Sequence, residues 1–265
     1  MEIKFIHKIS KGSRFNQIYV PKEAESEFEA GDLVEVKLLQ KKVQLYYSKN
    51  LPKISEFKEK LIRDIFIFLS EFKEIEQVFV FGSFLTKEID YNDIDLLIIS
   101  DKSKEDKIYQ RLIKIFNLKF HVISVDKEKL EKALENCPLT RSMLYYFVSN
   151  KPFAIKKDTR IDKNHIKFLM MFPEDLLRVS LDYGLAYYDS LRKLIVIENF
   201  LKKQEIPPNL IDKELEKLID KRKLEFLKKN RILDKKIQEE IKIIIKEKIN
   251  LIYRTLKNGK KRQHK

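Results

Sequence analysis

One stretch limits what this chain can fold into more than any other: Val78-Phe79-Val80-Phe81-Gly82-Ser83, then, nine residues on, Asp93-Ile94-Asp95-Leu96-Leu97-Ile98-Ile99. Each end carries an apolar run of strand length, and such runs need a sheet buried on both faces. The first run ends in Gly-Ser, where a glycine lets backbone approach a ligand closely and the following N–H groups can receive phosphate oxygens. The second run begins with two carboxylates two residues apart, and the period of a strand places both on one face. Ile94, Leu96 and Ile98 then face the other way, into a packing layer. Two convergent carboxylates beside a phosphate-receiving turn make a hard-oxygen site suited to Mg²⁺. The alternative reading is a turn glycine followed by two solvated acids at a strand edge.

The surrounding pattern is α/β. Residues 53–73 carry helical spacing (Ile54, Phe57, Leu61, Ile65, Leu69, Phe72). A helix is expected over Glu105–Phe116, a third strand over Phe120–Val125 and a helix over Lys127–Leu134. Before this core, Glu2–Lys8, Asn16–Val20, Leu33–Leu39 and Val43–Tyr47 read as short strands, with a short helix over Lys22–Glu29 and a turn at Gly31-Asp32. So small a unit cannot bury much core alone. After the core, Pro173-Glu174-Asp175 is expected to open a long helix to about Lys203, broken by Pro207-Pro208. Further helices are expected over Asn209–Lys229 and from an Asp234 cap to Leu256, the last with an isoleucine stripe. The residues from Gly259 on read as a basic tail. The expected class is therefore α+β: a small β-rich N-terminal module over 1–50, a mixed-sheet core over 51–160 and a helical bundle over 161–265.

Charge sharpens the picture. The 265-residue chain carries a net charge of +14. Residues 161–265 hold 26 Lys and Arg against 16 Asp and Glu, whereas 1–50 and 51–160 are each only +2. A polyanionic partner is therefore read onto the last segment. Lys221, Arg222, Lys223, Lys228, Lys229 and Arg231 crowd a helix junction there, and they suit either RNA phosphates or a solvated helix face. Cys137 is the single cysteine, which excludes an intramolecular disulfide and fits a cytoplasmic protein. No apolar run approaches the roughly 20 residues that span a bilayer, so no membrane partner is expected. Met1–Phe5 lacks an apolar signal-peptide core.

The Gly82-Ser83 and Asp93-Ile94-Asp95 combination, with strands on both sides, resembles the DNA polymerase beta-like nucleotidyltransferase superfamily over roughly residues 55–135. The resemblance implies that Gly82 and Ser83 hold the triphosphate of an NTP, ATP favoured. It implies that Asp93 and Asp95 are catalytic and hold Mg²⁺. The implied activity is transfer of a nucleoside monophosphate, AMP favoured, to a macromolecular acceptor. RNA is the favoured acceptor; nucleotidylation of a protein, as in antitoxin-type relatives, is a further reading. Active members usually have a third carboxylate on a neighbouring strand. The matching strand here is Lys119–Ser124, which carries His121 and no acid; Asp126 and Glu128 lie beyond its end, and Asp90 lies on the wrong segment. His121 is read either as a base or weak ligand, or as a polar residue lining the cleft. Its presence keeps open a catalytically degenerate core that binds nucleic acid or regulates.

Residues Lys11–Lys22, with Phe28, Gly31-Asp32 and Leu33–Val36, resemble a SpoVT/AbrB-type domain. That resemblance implies a homodimer of interlocked copies, and DNA contacts from Lys11 and Arg14. Glu23, Glu25, Glu27 and Glu29 crowd the short helix and weigh against DNA.

Overall fold

The structure is a computed structural model that describes residues 4–37, 42–86, 91–101, 105–205 and 207–258. It divides into two compact units, Met1–Lys42 and Val43–Lys265.

In the first unit, β1 (Ser10–Lys11) pairs antiparallel with β2 (Asn16–Gln17), Lys11 opposite Asn16. Pro21 leads into a 3-10 turn over Lys22–Glu27, and Gly31 turns the chain at φ 112°. The longer strands expected over Glu2–Lys8, Asn16–Val20 and Leu33–Leu39 are not formed among the described residues; Glu2, Ile3 and residues 38–41 lie outside them. No described residue of 4–37 is buried. The physical reason for the short strands is plain: a ladder needs a partner edge, and so short a segment supplies only one hairpin.

In the second unit, the described strands form a five-stranded mixed sheet. Its members are β3 (Tyr46–Tyr47), β4 (Gln77–Phe81), β5 (Ile94–Ile99), β6 (Phe120–Val125) and β7 (Phe147–Ser149), in the order β3-β7-β4-β5-β6. Tyr46–Tyr47 thus belongs to this sheet, paired with β7, rather than to the N-terminal hairpin. β4 runs antiparallel to β5, with Phe81 opposite Asp95, and β6 runs parallel to β5, with His121 beside Asp95. β7 was not visible in the sequence, because three residues are too few to show a period.

Both faces of the sheet are covered, which is why its central strands are mostly apolar. Val78, Val80, Ile94, Leu96 and Ile98 pack against Ile62, Ile65 and Leu69 of α1 (Glu56–Leu69) and Ile108 and Leu112 of α2 (Glu105–Phe116). Phe79, Phe81, Leu97 and Ile99 pack against Leu130 and Leu134 of α3 (Lys127–Asn136) and against Leu144, which follows α4 (Pro138–Met143).

The chain then enters a helical bundle of α5 (Lys163–Arg178), α6 (Gly184–Leu201), α7 (Pro208–Leu218), α8 (Lys221–Lys228) and α9 (Lys235–Asn258). Two boundaries differ from the sequence reading. Pro173 does not open a helix; it lies inside α5, buried, and the break falls after Arg178. Asp162 starts α5 by accepting from the N–H groups of Asn164 (2.9 Å) and His165 (3.1 Å). The expected helix over Asn209–Lys229 is two helices. Asp220 caps the second, accepting from Arg222 N at 2.8 Å and Lys223 N at 3.4 Å. Asp234 caps α9 as expected, through Ile237 N at 2.8 Å. α6 is the central helix: Leu191, Leu194, Ile195 and Ile197 are fully buried among the others. Among the described residues no helix is long and apolar enough to cross a membrane.

Candidate active site

β4 ends at Phe81, and Gly82 follows with φ 79° and ψ −157°, a conformation essentially reserved for glycine. Glycine is required here for a second reason: a Cβ on Gly82 would collide with Asp95 Oδ2. The chain then makes a 3-10 turn over Ser83–Leu85. Leu85 N donates to Gly82 O (3.2 Å), and Thr86 donates to Ser83 O from both its N–H (2.9 Å) and its hydroxyl (2.7 Å). Phe84 and Leu85 are fully buried and anchor the turn, while Ser83 is exposed. Among the described residues, neither the Ser83 amide nor its hydroxyl has a hydrogen-bond partner.

Asp95 projects from β5 on the face opposite Ile94 and Leu96, and its carboxylate reaches the Gly82 turn because Phe81 is its cross-strand neighbour. Its other oxygen, Oδ1, lies 3.0 Å from His121 Nδ1. Burial pushes the Asp95 carboxyl above the usual aspartate range, and the charge of nearby Asp93 pushes it the same way; the His121 contact works against both. Asp93 is half-buried and immediately precedes β5, near enough for its charge to act on Asp95. Gly82, Ser83, Asp93, Asp95 and His121 therefore gather at one end of β4–β6.

The structure adds neighbours that the motif did not name. Lys58 reaches from the first turns of α1 to donate to Thr86 O at 2.9 Å, and its ammonium lies over the rings of Phe84 (5.2 Å) and Tyr91 (5.5 Å). Burial lowers the Lys58 pKa. Its signal in the sequence was only a lysine in an amphipathic helix. His121 also lines a small depression of about 220 Å³ with Glu105, Asp106 and Tyr109. Glu105 does not replace the missing carboxylate: it accepts from Ser124 N (2.7 Å), three residues along the strand. Asp126 caps α3 at the far end of β6 through Lys129 N (2.8 Å). Asp90 lies outside the described residues.

Among the described residues, no three His, Cys, Asp or Glu side chains form a self-sufficient metal cage. The donor set at Asp93 and Asp95 nevertheless fits a hard divalent cation whose remaining ligands come from phosphate and water. Two acids crowd there, one already pushed toward protonation, and a cation would relieve that charge.

The remaining candidates sit apart in the chain. Lys11 lies in β1 and Arg14 in the turn after it. Lys221, Arg222, Lys223 and Lys228 belong to α8, and Lys229 and Arg231 follow it.

Residues 63–145 match the family model "Polymerase beta, Nucleotidyltransferase". The matched segment runs from within α1 to just past α4 and contains the whole Gly82–Asp95 site. Over these residues the chain is similar to the nucleotidyltransferase domain of the polymerase beta-like class. No curated protein and no solved structure matches the chain.

Proposed function

We propose that the protein is a Mg²⁺-dependent nucleotidyltransferase that moves a nucleoside monophosphate, AMP in the favoured case, from an NTP to an RNA acceptor. The observation that carries the reading is the closure of Asp95 onto the Gly82 turn beside Asp93, within the segment that matches the nucleotidyltransferase family. In this reading Gly82 and the Ser83 amide and hydroxyl receive the triphosphate. Asp93 and Asp95 hold magnesium, which would neutralise charge developing on the phosphates. An acceptor hydroxyl oxygen forms a bond to the α-phosphorus, the bond to the bridging oxygen breaks, and pyrophosphate leaves with its electron pair. The hydroxyl proton passes to solvent or to a base.

A second reading has its own observation. The position expected to carry a third carboxylate holds His121, which spends its Nδ1 on Asp95. A core retained for nucleotide or nucleic-acid binding without turnover accounts for that exchange. The first unit adds a homodimer through the SpoVT/AbrB-like segment, and the composition suits a cytoplasmic setting.

The test is incubation with each α-labelled NTP, Mg²⁺, and cellular RNA and protein, beside the Asp93→Ala/Asp95→Ala variant. Label in RNA that the variant loses, by a factor of at least about 10³, supports the transferase. Label in protein with no RNA requirement moves the acceptor to a polypeptide. Metal-dependent nucleotide binding without transfer supports the second reading.

A further inference from the structure

We infer that the α8 corner of the helical bundle is a binding site for single-stranded nucleic acid, holding the acceptor strand. The strand binding stands independently of catalysis; only its role as acceptor rests on the function proposed above.

The corner is a built surface. Asn230, at φ 49°, ends α8 and turns the chain back, so that Arg231 N donates to Phe226 O at 3.0 Å. The turn is pinned to the start of α6 from several sides. Gly184 N donates to Arg231 O (3.1 Å), Leu185 N to Asn230 Oδ1 (3.0 Å) and Leu233 N to Asp182 O (2.8 Å). Gly184 permits this approach: a Cβ there would press on the Leu227 backbone at 2.7 Å. Held this way, the Arg231 guanidinium lies 4.9 Å from the centroid of the Phe226 ring. Phe226 is 40% exposed, and beside it opens a depression of about 520 Å³ lined also by Lys221, Arg222 and Lys229. Tyr183 and Ile232, bridged to each other and exposed, extend the apolar part of the corner.

The charges here are available. Of the two acids in the lining, Asp220 is the α8 cap and Glu225 pairs with Lys229 at 3.7 Å. Among the described residues, Lys221, Arg222 and Arg231 have no carboxylate partner. Lys221, Arg222 and Lys223 occupy the first turn of α8, with no acid among them. Lys223 there pairs with Glu240 of α9, but Lys221 and Arg222 have no such partner among the described residues. The helix dipole disfavours cations at that end, so the fold itself gains nothing from placing those two there. A polyanion does gain: phosphates meet three unpaired cations, and a base can stack on the open side of a ring whose neighbour is a guanidinium. An acidic peptide would use the charges and leave Phe226 idle; a duplex would hide the bases that Phe226 could stack.

The test is fluorescence anisotropy on the full chain. The probes are a 5′-labelled oligo(A) RNA, the matching DNA strand and the same RNA in a duplex, each across a salt series. The expected result is tighter binding of single strands than of the duplex. Phe226→Ala should weaken strand binding by at least about fivefold. Lys221→Gln/Arg222→Gln should reduce the slope of log affinity against log salt by about 1.4. All three positions are at the surface, and unchanged thermal melting confirms that each variant is folded. Equal binding of RNA and DNA supports the site, because stacking reads neither sugar. The site is overturned if no strand binds at low salt, if both variants bind like the unaltered protein, or if duplex binds as tightly as strand. Asp93→Ala/Asp95→Ala should bind strands normally. Failed transfer with intact, Phe226-dependent binding would therefore remove the acceptor role and leave the site.

Discussion

Asp95 sits between Gly82 on one side and His121 on the other, and each contact makes a separate demand on sequence. At Gly82 the backbone conformation and the missing Cβ both matter. Gly82→Ala is expected to lower stability by roughly 1–3 kcal/mol, and to reduce transfer by at least about 10² because Asp95 must move. Thermal melting and a labelled-NTP assay read the two effects separately; a variant that is active and equally stable would show that the close approach is unimportant. For Asp95 the sign is reversed. Its carboxyl is raised in the folded state, first by burial and then by Asp93. A carboxylate raised on folding opposes stability above its usual titration range, and stability recovers as pH falls through the raised value. Asp95→Asn should therefore stabilise the apo protein at neutral pH by roughly 0.5–1 kcal/mol while abolishing transfer. Denaturant midpoints at pH 7 check this, and a clear loss of stability would assign Asp95 a structural role. These residue-scale facts were only half legible. The spacing of Asp93 and Asp95 announced one face of one strand, but the register that sets Asp95 against Phe81 and His121 depends on pairings that no local pattern encodes.

Among elements, the clearest sequence signals were the ones that packing enforces. β4 and β5 are largely apolar because helices cover both faces, and that continuity was visible directly; β6, at the sheet edge, is only partly buried. Pro173 misled because proline is favoured at helix starts, yet its ring also packs well, and the bundle core accepts it inside α5. The better signal was Asp162 followed by the stripe Ile166, Met170, Pro173 and Leu176. No local signal marked Glu198, which the bundle uses as an internal tie. It lies on α6, 8% exposed, and accepts from Lys202 at 2.5 Å and from Lys248 of α9 at 2.6 Å. Burial opposes its charge, but the two lysines outweigh burial and hold the carboxyl below the usual glutamate range. A depressed carboxyl contributes stability above its unfolded pKa and loses it as pH falls through the folded value. The contribution should thus be complete above about pH 4.5, the ordinary glutamate value, and fall away as pH drops from there through the lowered folded value. Glu198→Gln is expected to cost roughly 2–3 kcal/mol at pH 7, because Lys248 is left mostly buried without its partner. Urea titrations of both proteins at pH 7 and pH 3 check it: the gap should be full at the first and smaller at the second. A constant gap would mean that the loss comes from packing rather than charge.

For the whole molecule, the two units differ in how they meet the need for a core. Val43–Lys265 encloses three buried clusters among its described residues. The described residues 4–37 bury none of their side chains, although they include Ile6, Phe15, Tyr19, Leu33 and Val36, all exposed, Leu33 completely. So many large apolar side chains in water are a liability that a second copy would remove, and a segment too short for its own core is where such exchange is expected. The sequence hinted at this through the strand–proline–turn–strand order, but among the described residues of the first unit one copy pairs only Ser10–Lys11 with Asn16–Gln17. The prediction is a homodimer whose stability depends on Leu33 and Val36. Leu33→Asp/Val36→Asp leaves the buried clusters untouched, so it should keep the melting transition of the larger unit and shift the mass from dimer to monomer in light scattering at micromolar concentration. A protein that is monomeric before the substitution, or dimeric after it, would remove the first unit as the dimerisation element. It would then leave those apolar side chains to a partner of another kind.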